Sequence, residues 1–116
     1  MKILFILNEP PYGTERSFNG LRLAKALQKN QPDMEITIFL IADAVSCAKR
    51  NQKVPGGYYN LELMLGSVLR NGRVLLCGTC MDTRGLADKE TISGTERSTM
   101  DELAEQTTIA DKVMIF

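Results

Sequence analysis

The feature that most constrains this chain is a set of short strand-like runs separated by stretches of helical period. Ile3–Leu7 is apolar at every position, Glu35–Ile41 is rich in β-branched and aromatic residues, and Arg73–Leu76 and Lys112–Phe116 follow the same style. A strand that is wet on one face alternates apolar and polar residues, whereas one that is apolar on successive residues needs cover on both faces. The intervening segments supply that cover, because their apolar residues recur every three to four positions. Strands alternating with helices along the whole length predict a three-layer α/β/α sandwich with a mainly parallel sheet, built as one domain of 116 residues.

The segment boundaries follow from local chemistry. Asn8-Glu9-Pro10-Pro11-Tyr12-Gly13 ends the first strand, and Thr14 reads as the N-cap of a helix carrying Phe18, Leu21, Ala24 and Leu27 and closing near Asn30. A short helical turn fits Ala44–Lys49. Residues 50–60, with Pro55, Gly56 and Gly57, have no period and form the longest irregular stretch. Asn60 is placed to cap a second helix with a stripe of Leu61, Met64, Leu65, Val68 and Leu69, stopped by Asn71-Gly72. Residues 77–89 lack periodicity, and a short fourth strand falls within Glu90–Arg97. Thr99-Met100-Asp101-Glu102 fits a capping box before a helix whose apolar side is Leu103, Ala104 and Thr107.

Composition removes several function classes. Fourteen Lys and Arg balance fourteen Asp and Glu, so no net field attracts a phosphate backbone or an anionic membrane surface, and neither nucleic acid nor membrane is expected as a partner. There is no histidine, which excludes Ser-His-Asp and Cys-His catalysis and every His-containing metal site. Three cysteines are too few for a secreted disulfide scaffold and point to a reducing, cytoplasmic setting. The apolar start resembles a signal peptide, but Asn8, Glu9 and two prolines interrupt it before an h-region forms.

In parallel sheets ligands gather beyond the carboxyl ends of the strands. That places residues 8–14, 43–46 and 77–84 at one edge as the candidate site. Pro10 and Pro11 donate no N–H, and neither GxGxxG nor GxxxxGK[ST] occurs, so a dinucleotide or P-loop phosphate cradle is not expected. Cys77-Gly78-Thr79-Cys80 is a CxxC. Three thiolates without histidine make an incomplete zinc set, so no metal is expected, and the pair reads either as a reactive dithiol or as inert packing. Arg84 would favour a sulfur anion, or else pair with Asp82 or a neighbouring subunit. Asp43 is a site polar group or the cap of the turn after it. Cys47 reads as packing, and Tyr12, Tyr58 and Tyr59 as pocket wall or interface anchors.

Several motifs together carry a resemblance. Asn8, Pro11-Tyr12-Gly13, Phe18-Asn19-Gly20-Leu21-Arg22-Leu23-Ala24, Phe39-Leu40 with Asp43-Ala44-Val45, Gly57-Tyr58, Leu76-Cys77-Gly78-Thr79-Cys80 with Asp82-Thr83-Arg84-Gly85, and Ala110-Asp111-Lys112-Val113 are similar in order and spacing to the DsrE/DsrF-like family, in its YchN-type branch. The resemblance spans Met1 to Phe116. It implies a parallel five-stranded sheet between helices, assembly with itself as a homotrimer or homohexamer, and sulfane sulfur carried as a persulfide on the cysteine after the third strand, here Cys77. Cys80 matches the branch's second cysteine. The expected function is a sulfur carrier with Cys77, Cys80 and Arg84 in catalytic roles and Asn8, Tyr12 and Asp43 around the substrate. It needs no cofactor and exchanges sulfur with donor and acceptor proteins. A dithiol/disulfide redox protein and a non-catalytic oligomeric binding module are the alternatives.

Overall fold

The computed structural model of the chain describes residues 1–56 and 58–116; Gly57, part of the quoted Gly57-Tyr58 motif, lies outside them. The strands are β1 (Lys2–Leu7), β2 (Glu35–Leu40), β3 (Arg73–Cys77), β4 (Glu96–Ser98) and β5 (Lys112–Ile115). They form one sheet in the order β4-β3-β2-β1-β5, and every pairing is parallel. The helices are α1 (Arg16–Asn30), α2 (Leu61–Val68), α3 (Gly78–Thr83) and α4 (Met100–Ile109), with 3₁₀ turns at Ala42–Ala48 and Asp88–Glu90. No helix among the described residues is long and apolar enough to cross a membrane.

Register divides the sheet into two faces. Leu7 packs beneath Gly20 of α1, and residues at the same level of neighbouring strands point the same way. Ile3, Phe5 and Leu7 therefore share the α1 face with Ile36, Ile38 and Leu40 and with Val74 and Leu76. The chain steps β1 to β2 to β3 to β4 in one direction, so right-handed crossovers put α1, α2 and α3 on that face. The return from β4 to β5 puts α4 on the other, where Arg73 of β3 and Ser98 of β4 both bond Glu102 of α4. The core is fully buried and apolar: Phe5, Leu7, Leu21, Ile38, Phe39, Leu65 and Leu75 lead it.

Several boundaries differ from the sequence expectation. The first helix begins at Arg16 with Glu15, not Thr14, in the cap position and with no side-chain cap. The Ser17 hydroxyl instead donates to the Glu9 carbonyl at 2.7 Å and so fixes where the helix leaves the preceding loop. Asn60 caps α2 as anticipated, its Oδ1 accepting from the Leu63 amide at 3.2 Å. Only half of the expected capping box forms: Thr99 Oγ1 accepts from the Glu102 amide, but the Glu102 carboxylate turns to Ser98 Oγ at 2.6 Å and to Arg73. In α4 only Leu103 is buried, and Ala104 and Thr107 face solvent, because a lone helix on a sheet face touches it along a narrow stripe. The aperiodic stretch after β3 contains α3, a helix too short to show a period.

Candidate functional site

All five strands end at the same edge. Leu7, Leu40 and Leu76 lie level across β1, β2 and β3, so the next residues, Asn8, Ile41 and Cys77, form the rim, with Cys77 paired to Ser98 of β4. Two strand spacings, roughly 10 Å, separate the β3 and β1 positions on this rim.

Cys77 holds two structural positions at once. It is the last residue of β3 and the N-cap of α3, where its Sγ accepts the Cys80 amide at 3.3 Å. The Thr79 hydroxyl lies 3.4 Å from the same sulfur. The helix can start this abruptly because position 78 is glycine: a Cβ there would come within 3.0 Å of the Arg97 guanidinium, which crosses this position from β4. Arg97 then bonds Asp82 of α3 at 2.5 Å and Asp88 at 3.2 Å, clamping the short helix against the sheet edge.

Cys80 has a cradle of its own. The Ala42 amide donates to its Sγ at 3.3 Å. Ala42 points that amide at the sulfur by adopting φ +54°, a left-handed conformation that costs a non-glycine residue roughly 1 kcal/mol or more. Arg84 bonds Asp43 at 2.8 Å and donates to the Cys80 carbonyl at 3.0 Å, tying the loop after β2 to the end of α3. Arg84 thus pairs with Asp43 rather than Asp82. Asp43 is in the turn's first residues and does not cap it; Ile41 occupies the cap position.

The three thiols are sharply unequal. Burial opposes ionisation of Cys77, but donors outweigh it: the Cys80 thiol, the Thr79 hydroxyl and the Cys80 and Thr79 amides hold Cys77 below the ordinary thiol range. Cys80 is pushed up, by burial first and then by donating to its neighbour, against the opposing pull of the Ala42 amide and the Arg84 charge. Cys47 is fully buried, and burial pushes it up to about 12. It is inert core.

The remaining candidates lie on the same rim but bond elsewhere. Asn8 gives both its backbone and its side-chain N–H to the Phe116 carbonyl, at 3.0 and 3.2 Å, which pins the end of β5 to β1. The Tyr12 hydroxyl donates to Gln52 Oε1 at 2.6 Å and accepts the Leu61 amide at 3.3 Å, tying Gln52 and the start of α2 to the loop after β1. Tyr59 stacks on Phe18 at 4.0 Å between centroids and more loosely on Tyr12, while Tyr58 is 70% exposed. Sequence reasoning missed Ala42, Thr79 and Arg97. Only Thr79 carried a signal, as the hydroxyl inside the CxxC. A cleft of about 320 Å³ lies at the opposite edge, lined in part by Lys2, Glu35, Arg70, Gly72, Arg73 and Ile109, and it contains no cysteine.

An all-parallel α/β sandwich that presents two neighbouring thiols at its carboxyl rim, one of them the sulfur cap of a helix, marks the class of protein to which the chain is compared. Within that class the chain belongs to the DsrE/DsrF-like family, a family associated with sulfur relay, whose sequence model matches residues 1–116. It is 44% identical over 116 residues to protein YchN of Escherichia coli strain K12, covering 99% of this chain and 98% of that one. The crystal structure of that E. coli protein superposes with a TM-score of 0.92, again over 99% of this chain and 98% of the other. An uncharacterized protein of Methanocaldococcus jannaschii is 34% identical over 116 residues, 100% of each chain. A protein of unknown function from Methanobacterium thermoautotrophicum, at 12% identity and a TM-score of 0.80 over 99% and 98% of the two chains, shares the fold.

Proposed function

We propose that this protein is a sulfur carrier that holds sulfane sulfur as a persulfide on Cys77. The observation that carries the reading is the geometry around one sulfur, with the Cys80 amide at 3.3 Å and the Thr79 hydroxyl at 3.4 Å from Cys77 Sγ, which favours the thiolate against its burial. The Cys77 thiolate attacks the outer sulfur of a donor persulfide, a new S–S bond forms, and the donor leaves as a thiolate. The same donors then face the persulfide anion. Arg84 acts through Cys80 and is itself held by Asp43, while Asn8 and Tyr12 shape the rim on which a partner's sulfur would dock. The resemblance adds a homotrimer or homohexamer, with Tyr58 and the exposed Val113 and Ile115 of β5 as surfaces that assembly would cover.

Intact-mass measurement after incubation with a cysteine-desulfurase system tests this reading. The reduced chain is expected to gain one sulfur, the Cys77→Ser variant none, and the Cys47→Ser variant as much as the native chain. Loading of Cys77→Ser at the native rate would sink it. A dithiol/disulfide redox role is the second reading, favoured by the second cysteine in the first turn of α3. It predicts a Cys77–Cys80 disulfide without any sulfur adduct.

A further inference from the structure

The carrier reading uses one sulfur and leaves the second cradle unexplained. A passive neighbour needs no donor of its own, yet the Ala42 amide is aimed at Cys80 Sγ from a left-handed backbone conformation, and the Asp43-held Arg84 grips the Cys80 carbonyl, bringing its positive charge to the same residue. The Ala42 amide comes from the loop after β2, a separate element from the helix that serves Cys77, whereas Arg84 closes α3 itself. Donors directed at a sulfur stabilise it most when it is negatively charged. Cys80 is therefore equipped to become a thiolate at some step. It also lies in the first turn of α3, three residues from the N-cap. At that spacing Cβ atoms are about 5–6 Å apart, so a small adjustment reaches disulfide geometry.

We propose that Cys80 discharges the carried sulfur as hydrosulfide, so that the protein reduces sulfane sulfur as well as carrying it. The step rests on the persulfide reading and balances without an added reductant. The proton of Cys80 passes to the outer sulfur of the Cys77 persulfide. The Cys80 thiolate, held by the Ala42 amide and the Arg84 charge, attacks Cys77 Sγ. The Cys77–Cys80 bond forms, the bond to the outer sulfur breaks, and HS⁻ leaves with the electron pair. Two cysteine sulfurs are oxidised to a disulfide while the sulfane sulfur is reduced to sulfide. A dithiol reductant then returns the protein to its starting state.

The test uses the reduced full chain loaded with inorganic polysulfide, freed of excess, and followed by intact mass and a sulfide-selective electrode. The native protein is expected to lose its one-sulfur adduct while releasing an equal amount of sulfide and ending two hydrogens lighter than the reduced chain. Cys80→Ser is expected to load and then hold the adduct at least about ten-fold longer, without sulfide release. Arg84→Gln, which keeps both cysteines, is expected to slow release about three-fold. A native adduct as long-lived as that of Cys80→Ser, or one that moves to Cys80 with no sulfide released, overturns the discharge step and leaves the carrier reading standing. If Cys80→Ser takes up no sulfur, the carrier reading itself falls and the discharge falls with it.

Discussion

Two glycines of the segment that delivers β3 to the rim are expected to respond oppositely to alanine. Gly66 lies inside α2 on its exposed side, and a methyl group added there would meet nothing within 4 Å. Alanine at this position gains helix propensity, about 0.5–1 kcal/mol. Gly72 sits in the turn between α2 and β3, where a Cβ would lie 2.7 Å from the Ile36 carbonyl and 3.2 Å from the Val68 carbonyl. Both are backbone atoms of elements that cannot move independently, and overpacking of this kind costs about 1–3 kcal/mol. The third neighbour, Gln28 Nε2 at 3.0 Å, would have to abandon its bond to the Val68 carbonyl, worth about 1 kcal/mol more. The entropy that alanine removes from the unfolded chain returns about 0.4–1 kcal/mol. The net expectation is a loss of about 1–4 kcal/mol at Gly72 and a gain of about 0.5–1 at Gly66. In a chain of this size each kcal/mol moves Tm by about 3–6 °C. Thermal and urea unfolding by circular dichroism, at one fixed protein concentration, would read both. If Gly72→Ala melts at or above the native temperature, or if the two variants shift in the same direction, the packing argument for the α2–β3 turn is wrong.

Other expectations follow from the rim. Ala42→Gly removes the left-handed strain while keeping the amide, so it is expected to stabilise the fold by about 1 kcal/mol in urea melts and to leave Cys77 alkylation unchanged. Iodoacetamide is expected to modify Cys77 first, with a pH–rate midpoint below that of free cysteine, while Cys47 stays unmodified until the protein is denatured, as peptide mapping would show. Cys47 also predicts alkaline destabilisation. Its folded pKa is raised from 9.0 to about 12, so above the lower value the unfolded chain ionises while the native thiol stays protonated. Stability then falls by about 1.4 kcal/mol per pH unit until the upper value is reached. Cys47→Ala is expected to flatten the pH dependence of unfolding in that window; an unchanged slope would refute it.

The legible parts of this chain are those written in local pattern. Ile3–Leu7 and Asn60–Leu69 announce a two-sided strand and a capped helix from their own residues, and both appear nearly where expected. The CxxC spacing marked Cys77 and Cys80 as a candidate pair, reactive or inert, and the family resemblance singled out Cys77. The partners of the site were not, because they arrive from elsewhere: Asp43 reaches Arg84 across forty-one positions, Ala42 reaches Cys80 across thirty-eight, and Arg97 reaches back to Asp82 across fifteen. The left-handed conformation of Ala42 leaves no trace in its residue type, since glycine or asparagine would be the usual mark. α3 was invisible for the converse reason. Six residues span less than two turns, too few for a period, and a sulfur replaces the usual oxygen as cap.

That sulfur cap makes the chemistry of one atom and the winding of a helix a single equilibrium. A negative charge on Cys77 tightens the bond from the Cys80 amide and so favours the wound form of α3. By thermodynamic reciprocity, whatever favours the wound form acidifies the sulfur by the same free energy. A carboxylate at Asp82 or Asp88 gripping Arg97, or a protein surface settling on the rim, therefore tunes reactivity without touching the thiol. Conversely, an uncharged group on the sulfur is expected to weaken the bond from the Cys80 amide and so loosen the first turn of α3, which Arg97 ties to β4. On the proposed carrier reading the sulfur would thus also be a gauge, its loading displayed in the shape of the rim around α3.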